Sequence, residues 1–202
     1  MRPLLDGGTL GGRGSLGLCW RSMNITVRHA LSSDVASLAE LAARTFRDTF
    51  AADNAPEDIA RHLAEAYGLL QQGRELADPN VTTLLADASG QLVGYAQVRH
   101  APAPACVVGD APIELWRLYV DRGWHGRGIA QELMRCIELE AQRRGARTLW
   151  LGVWERNERA KAFYRKWNFV DVGSHVFLVG SDAQTDRILV RPIAPAPSVG
   201  PL

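Results

Sequence analysis

The segment from Leu118 to Ala130, LYVDRGWHGRGIA, constrains this chain more than any other. A hydrophobic, strand-like run passes into a loop carrying Gly123, Gly126 and Gly128. The residues that follow place Ile129, Leu133, Ile137 and Ala141 at helical spacing. A strand feeding a glycine-rich turn that opens a helix is a device for holding phosphate. Glycines let the backbone approach an anion closely, and the unpaired N–H groups of the first helical turn point at it along the helix dipole. The unit predicts a pyrophosphate-bearing ligand. Two common phosphate loops do not fit. A dinucleotide fingerprint needs a third glycine where Gln131 stands, and no glycine pair with Walker spacing is followed by the required Lys and Ser or Thr; Gly7 and Gly12, for example, lead to Arg13 and Gly14.

Composition narrows the setting. The chain has 202 residues, 47% hydrophobic and 22% charged, with a formal net charge of +1. These values describe one globular domain with a substantial core. Near-neutral charge gives no support for a nucleic-acid surface or a polybasic membrane anchor, and no apolar run has the length of a bilayer span. Cys19, Cys106 and Cys136 are odd in number and widely spaced, which suggests a reducing, cytoplasmic compartment without a disulfide framework. The histidines His29, His62, His100, His125 and His175 lack metal-ligand spacing, so no metal is expected. Residues 1–22 read as a flexible extension or as translation from an upstream start, 23–193 as the folded domain, and the proline-rich 194–202 as a disordered tail.

Periodicity and turn residues order the domain. A strand at 24–28 precedes Ser32-Ser33-Asp34, which offers a helix N-cap. The first helix runs to about Phe50, and a second starts near Pro56 and continues through Tyr67. Strands at 81–88 and 92–100 flank a Ser89-Gly90 hairpin turn. A Pro/Ala loop leads to strand 113–120, then helix 127–145, strand 147–154, helix 157–167, and strands 169–178 and 185–191. The order β-α-α-β-β-β-α-β-α-β-β predicts a mixed α/β sandwich around a central, partly antiparallel sheet.

The loop spacing resembles the Q/R-x-x-G-x-G/A element of the GNAT N-acetyltransferases, with Gly128 and Ala130 at the two small positions and His125 replacing the usual Gln or Arg. The element order is also that of the GNAT fold, a mostly antiparallel sheet with splayed middle strands and about four helices. A second run, WERNERAKAFYRKWNF from Trp154 to Phe169, is similar to the family's N-x-x-A-x-x-F-Y-x-x-x-G-F signature, with Asn168 in the place of glycine. The resemblance implies acetyl-CoA as co-substrate. Its pyrophosphate would lie on His125, Gly126, Arg127, Gly128, Ile129 and Ala130. Its pantetheine would lie along Leu118, Tyr119 and Val120, near Asn157, Ala160 and Phe163, with a backbone N–H of Val120 or Leu118 polarising the thioester. Arg127 and Arg159 would assist the phosphates and Lys166 the ribose phosphate. Tyr164 matches the tyrosine that protonates the departing thiolate, a role suited to a phenol of ordinary pKa about 10.

Two parts of the reaction stay open on sequence. Glu114 lies six residues before Val120, so strand alternation puts both on one face and makes Glu114 a candidate base; ordered water is the alternative. The runs Trp150–Asn157 and His175–Asp186 look like the LGVWExN and HxFxxGxxxQTD pattern of the PaiA-type subgroup, whose members acetylate polyamines. That implies a small cationic acceptor, with Phe46, Asp48 and Phe50 as candidate contacts beside Asp53, Glu57 and Asp58. Gln184-Thr185-Asp186 reads as a β-turn or as part of a dimer contact or substrate mouth. A peptide or protein acceptor, and an acyl-CoA sensor without turnover, are the competing readings; a homodimer is compatible with each.

Overall fold

In the computed structural model, residues 25–179 and 182–194 are described. The expected extension at 1–22 and most of the expected tail lie outside them. Seven strands and five α-helices follow along these residues: β1 (Ile25–His29), α1 (Val35–Phe50), α2 (Pro56–Tyr67), α3 (Leu69–Ala77), β2 (Val81–Ala88), β3 (Gln91–Arg99), β4 (Pro112–Val120), α4 (Ile129–Arg143), β5 (Thr148–Trp154), α5 (Glu158–Lys166), β6 (Val170–Val179) and β7 (Asp182–Pro192). They form one sheet in the order β1-β2-β3-β4-β5-β7-β6. Every neighbouring pair is antiparallel except β4 and β5, which are parallel.

The parallel pair positions the site. β4 and β5 are in register only at Pro112–Thr148, Ile113–Leu149 and Glu114–Trp150, after which the ladder stops while both strands run on to Val120 and Trp154. A cleft therefore opens in mid-sheet, with strand backbone on each lip. This is the splayed, mostly antiparallel fold expected from the sequence.

Helices cover both faces. On one side α1 presents Leu38, Leu41, Ala42, Phe46 and Phe50, which share one helix face, onto Leu85 and Tyr95 of the sheet. On the other, Leu133, Ile137 and Ala141 of α4 and Tyr164 of α5 pack on Val93, Val98, Ile113 and Leu149. The Ser89-Gly90 turn joins β2 to β3 with φ of 53° and 80° at its two central residues, the geometry that suits the twist of a hairpin.

Four details depart from the sequence reading. α3 was not expected: its buried residues are Gln72 and Glu75, Leu69 and Leu70 face out, and Leu76 alone of its leucines packs against the core, which is too little to make an apolar stripe. Ser32–Asp34 form a short 3₁₀ turn rather than a side-chain cap on α1, and the Asp34 carboxylate accepts from Leu31 N–H (2.7 Å) and Arg28. β4 contains a bulge, since Gln97 pairs Arg117 while Val98 pairs Leu115, leaving Trp116 as the extra residue. One inserted residue reverses the alternation, so Leu118 and Val120 join the α4 side whereas Glu114 lines the cavity on the α1 side. The expectation that Glu114 and Val120 share a face is thus overturned. Lastly, Gln184-Thr185-Asp186 is strand, not turn. It lies within β7, and Gln184 Nε2 donates to Asn54 Oδ1 (2.5 Å) in the α1–α2 connection.

Candidate active site

The phosphate-type loop is built from left-handed glycines. Gly126 and Gly128 have φ of 77° and 85°, and Gly128 is the N-cap of α4. The first turn of α4 leaves the N–H groups of Gly128, Ile129, Ala130 and Gln131 without intrahelical acceptors. These residues line a cavity of about 230 Å³ together with Leu118–Val120, His125, Asn157, Ala160, Phe163 and Tyr164. A Cβ on Gly128 would meet nothing within 4 Å, so its requirement is conformational. Gly128→Val is accordingly expected to cost about 1–2 kcal/mol of stability through the left-handed backbone alone, and to weaken anion binding at the loop. Urea unfolding monitored by fluorescence measures the first effect.

His125 is tied into this loop by its ring. The Val120 carbonyl can only accept, so Nε2 donates to it at 2.8 Å, and Nδ1 accepts from Arg159 Nη1. The ring thus holds the Arg159 guanidinium at the cavity wall. Asn157 is the N-cap of α5; its Oδ1 accepts from Ala160 N–H at 3.1 Å, which leaves the amide NH₂ as the donating half. The chain leaves α5 through Asn168, just past the Trp167 C-cap. Its φ of 60° is left-handed, and asparagine is the side-chain-bearing residue that best replaces glycine there.

A second cavity of about 330 Å³ opens on the other side of the splay, lined by Phe46, Phe50, His62, Glu114, Trp116, Gly152, His175 and Asp186 among others. Both cavities are lined by Leu118, Tyr119, Asn157, Ala160 and Tyr164. Tyr164 is buried, with its ring edge-on to Phe163 (5.4 Å) and Phe169 (5.5 Å). Burial holds its phenol proton well above the ordinary tyrosine range. The arrangement joins a backbone-lined channel to an aromatic pocket, with Tyr164 and Tyr119 at the junction.

Charges in the second cavity are mostly paired. Arg99 Nε meets Glu114 Oε2 at 2.5 Å, and Arg117 Nη1 meets Glu75 Oε2 at 2.5 Å. Trp116 lies between the two guanidinium groups, each 3.8 Å from its ring. Asp186 Oδ2 stands 3.8 Å from His175 Nε2. Burial pushes the Asp186 carboxyl up to about 6 against the pull of His175, and burial followed by the Arg117 charge holds His62 below the usual imidazole value.

Most of the expected site residues therefore meet at the splay, with three exceptions. Arg127 lies over the Trp124 ring, 4.9 Å from its centroid, rather than on the cavity wall. Lys166 is exposed at the last turn of α5. Asp48 lines a recess with Arg122 and Arg156 that adjoins the loop-side cavity at His125 and Arg159, rather than lining the aromatic pocket, because a helix that turns Phe46 and Phe50 inward turns Asp48 away. The acidic neighbours are outside the second cavity too: Asp53 and Glu57 are exposed, and Asp58 is 4.0 Å from Arg61. The sequence reading assigned no chemistry to His175 and Asp186. Their signal was the H-x-F…Q-T-D run, with the two residues directly opposite each other on β6 and β7.

Comparison with known proteins agrees with this geometry. Residues 36–169 match the profile of the acetyltransferase (GNAT) family. An uncharacterized N-acetyltransferase of Lactobacillus delbrueckii subsp. lactis is 32% identical over 158 residues, which span 78% of this chain and 91% of that protein. An uncharacterized N-acetyltransferase of Mycobacterium tuberculosis is 35% identical over 159 residues, 79% of this chain and 97% of its own. The PaiA N-acetyltransferase of Thermoplasma acidophilum, crystallised with coenzyme A, superposes with a TM-score of 0.67 at 22% identity, covering 84% of this chain and 99% of that one, a likeness of fold. With a profile match over more than half its length and relatives above 30% identity spanned almost end to end, the chain belongs to the acetyltransferase (GNAT) family.

Proposed function

We propose that this protein transfers the acetyl group of acetyl-CoA to a small primary amine by direct attack in a ternary complex. The meeting of the two cavities at Tyr164, Asn157 and Leu118 carries this reading. A thioester entering from the loop side and an amine from the aromatic side come together beside the buried Tyr164. The left-handed glycines and the first turn of α4 hold the pyrophosphate, with Arg159, oriented by His125, on the wall of the same cavity. The edge of β4 beyond Glu114, freed by the end of its ladder with β5, accepts the pantetheine arm. The Asn157 amide adds a donor there, and a backbone N–H of Leu118 or Val120 polarises the thioester carbonyl. Tyr164 donates to the departing thiolate. We give Glu114 the role of fixing Arg99 and, through it, Trp116, since its carboxylate is already engaged.

The LGVWExN and HxFxxGxxxQTD runs support a PaiA-like acceptor preference, so polyamines stand first among the amines to try. Aromatic walls and a single carboxylate not matched by an arginine favour one cationic head at the point of attack. Thiol release from acetyl-CoA, followed with spermidine, spermine, phenethylamine and a short peptide with a free N-terminus, tests the proposal. Release above the buffer rate is expected with at least one primary amine. Intact acetyl-CoA binding with no release from any of them would instead identify an acyl-CoA sensor.

A further inference from the structure

The acceptor cavity holds one carboxylate whose chemistry the preceding roles do not use. Arg99 and Arg117 are neutralised by Glu114 and Glu75, which leaves Asp186. Its Oδ2 faces His175 at 3.8 Å, slightly beyond a direct hydrogen bond. Its Oδ1 is buried with no hydrogen-bond partner among the described residues. A buried carboxylate oxygen without a donor bears its full desolvation cost, and such atoms call for an explanation. Gly152 of β5 gives the pair room to lie against the strand. A Cβ there would come within 3.1 Å of Asp186 Oδ2 and 3.3 Å of His175 Nε2. Three adjacent strands thus set a carboxylate, an imidazole and a missing side chain on the cavity wall.

We propose that Asp186 and His175 form the acceptor-amine site, where an incoming primary ammonium donates to the Asp186 carboxylate and gives up its proton before attack. The inference rests on the acetyl-transfer reading above. The ammonium R–NH₃⁺ transfers one proton to the Asp186 carboxylate, and His175, partly exposed, relays it to solvent. The freed nitrogen lone pair then forms the C–N bond at the thioester carbonyl carbon, and the C–S bond breaks. The sulfur leaves with the bonding pair and takes the Tyr164 proton. The second nitrogen proton returns through the cavity to restore Tyr164. The balance is R–NH₃⁺ plus acetyl-CoA giving the N-acetyl amide, coenzyme A and one proton.

Other titratable or charged groups lining the cavity are His62 and Tyr67 on α2, Arg99 on β3, Glu114, Arg117 and Tyr119 on β4, and Tyr164 on α5. None is an arginine held against Asp186, and only His175 pulls its carboxyl down against burial. A group near 6 is a carboxylate at neutral pH that remains basic enough to take a proton transiently.

The test combines kinetics and binding on the full chain. With phenethylamine and spermidine as acceptors, kcat/KM is expected to rise through about pH 6 in the wild type. Asp186→Asn should lower kcat/KM at least tenfold and remove this limb, with the acetyl-CoA Kd unchanged by calorimetry, which also reports that the variant has folded. His175→Gln should move the limb, whereas Glu114→Gln should alter rates without moving it. An Asp186→Asn variant that keeps both rate and limb, or a limb that moves with Glu114→Gln instead, overturns the proposal. A readout independent of turnover separates it from the transfer reading: the His175 ring ¹⁵N resonances should shift when phenethylammonium is added to wild type and stay fixed in Asp186→Asn. Ring resonances that ignore the amine in wild type sink the site. A ring response without thiol release sinks only the transfer chemistry.

Discussion

Tyr164→Phe is expected to lower kcat for acetyl transfer by roughly 10²–10⁴-fold, the range of a positioned general acid, while acetyl-CoA binds as before. The substitution removes one hydroxyl and keeps the ring, so the edge-on contacts to Phe163 and Phe169 and the packing of α5 on the sheet survive. The hydroxyl stands where both cavities meet, and burial keeps it protonated across the neutral range. Holding the proton tightly limits early transfer. It does not weaken a hydrogen bond aimed at the charge that grows on sulfur as the C–S bond lengthens. Loss of the hydroxyl therefore removes stabilisation from the transition state and little from the ground state, so kcat and kcat/KM should fall together. Steady-state thiol release with calorimetric acetyl-CoA affinity reads both quantities; an unchanged kcat would strip Tyr164 of its role.

Where the sequence was informative, one physical signal dominated a segment. The apolar stripe of α1, the positive-φ pair Ser89-Gly90 and the glycines ahead of α4 each leave a local pattern, and each stands as expected. The unexpected features share a different character. α3 turns Gln72 and Glu75 inward, and a polar inner face gives hydrophobic periodicity nothing to detect. The bulge at Trp116 adds one residue to β4, and alternation counted along the sequence then assigns Glu114 to the wrong face. Asp48 drew notice for its charge, although helical spacing from Phe46 and Phe50 already turned it outward. Gln184-Thr185-Asp186 has turn-forming residue types, yet pairing with β5 and β6 on both sides makes it strand and aims Asp186 into the cavity. Side-chain type suggested candidates; register, which depends on partners distant in the chain, decided where those side chains were placed.

Glu75→Ala is expected to destabilise the fold by about 3–5 kcal/mol, the cost of leaving a buried charge without its partner. The Glu75 carboxylate gathers four donors: Oε2 accepts from Arg117 (2.5 Å), Gln72 (3.0 Å) and Gln97 (3.1 Å), and Oε1 accepts from Gln71 (3.0 Å). Both members of the ion pair are buried, and Arg117 also donates to Gln97 Oε1 at 2.7 Å. Removing the carboxylate strands the guanidinium between Tyr67 and Trp116, where cation–π contacts compensate only in part. Because this network joins α3 to β3 and β4, its loss should also disturb the wall of the acceptor cavity to which Arg117 and Trp116 belong. Replacing both charges with apolar residues of similar size, as in Glu75→Leu with Arg117→Met, should recover much of the lost stability, since no unpaired charge then remains. The double variant should nevertheless keep an impaired acceptor KM, because Trp116 loses one of its two cationic neighbours. Urea unfolding compares stability at constant m-value. A single variant as stable as wild type would mean that water reaches Arg117 and that the pair is not the link between α3 and the sheet.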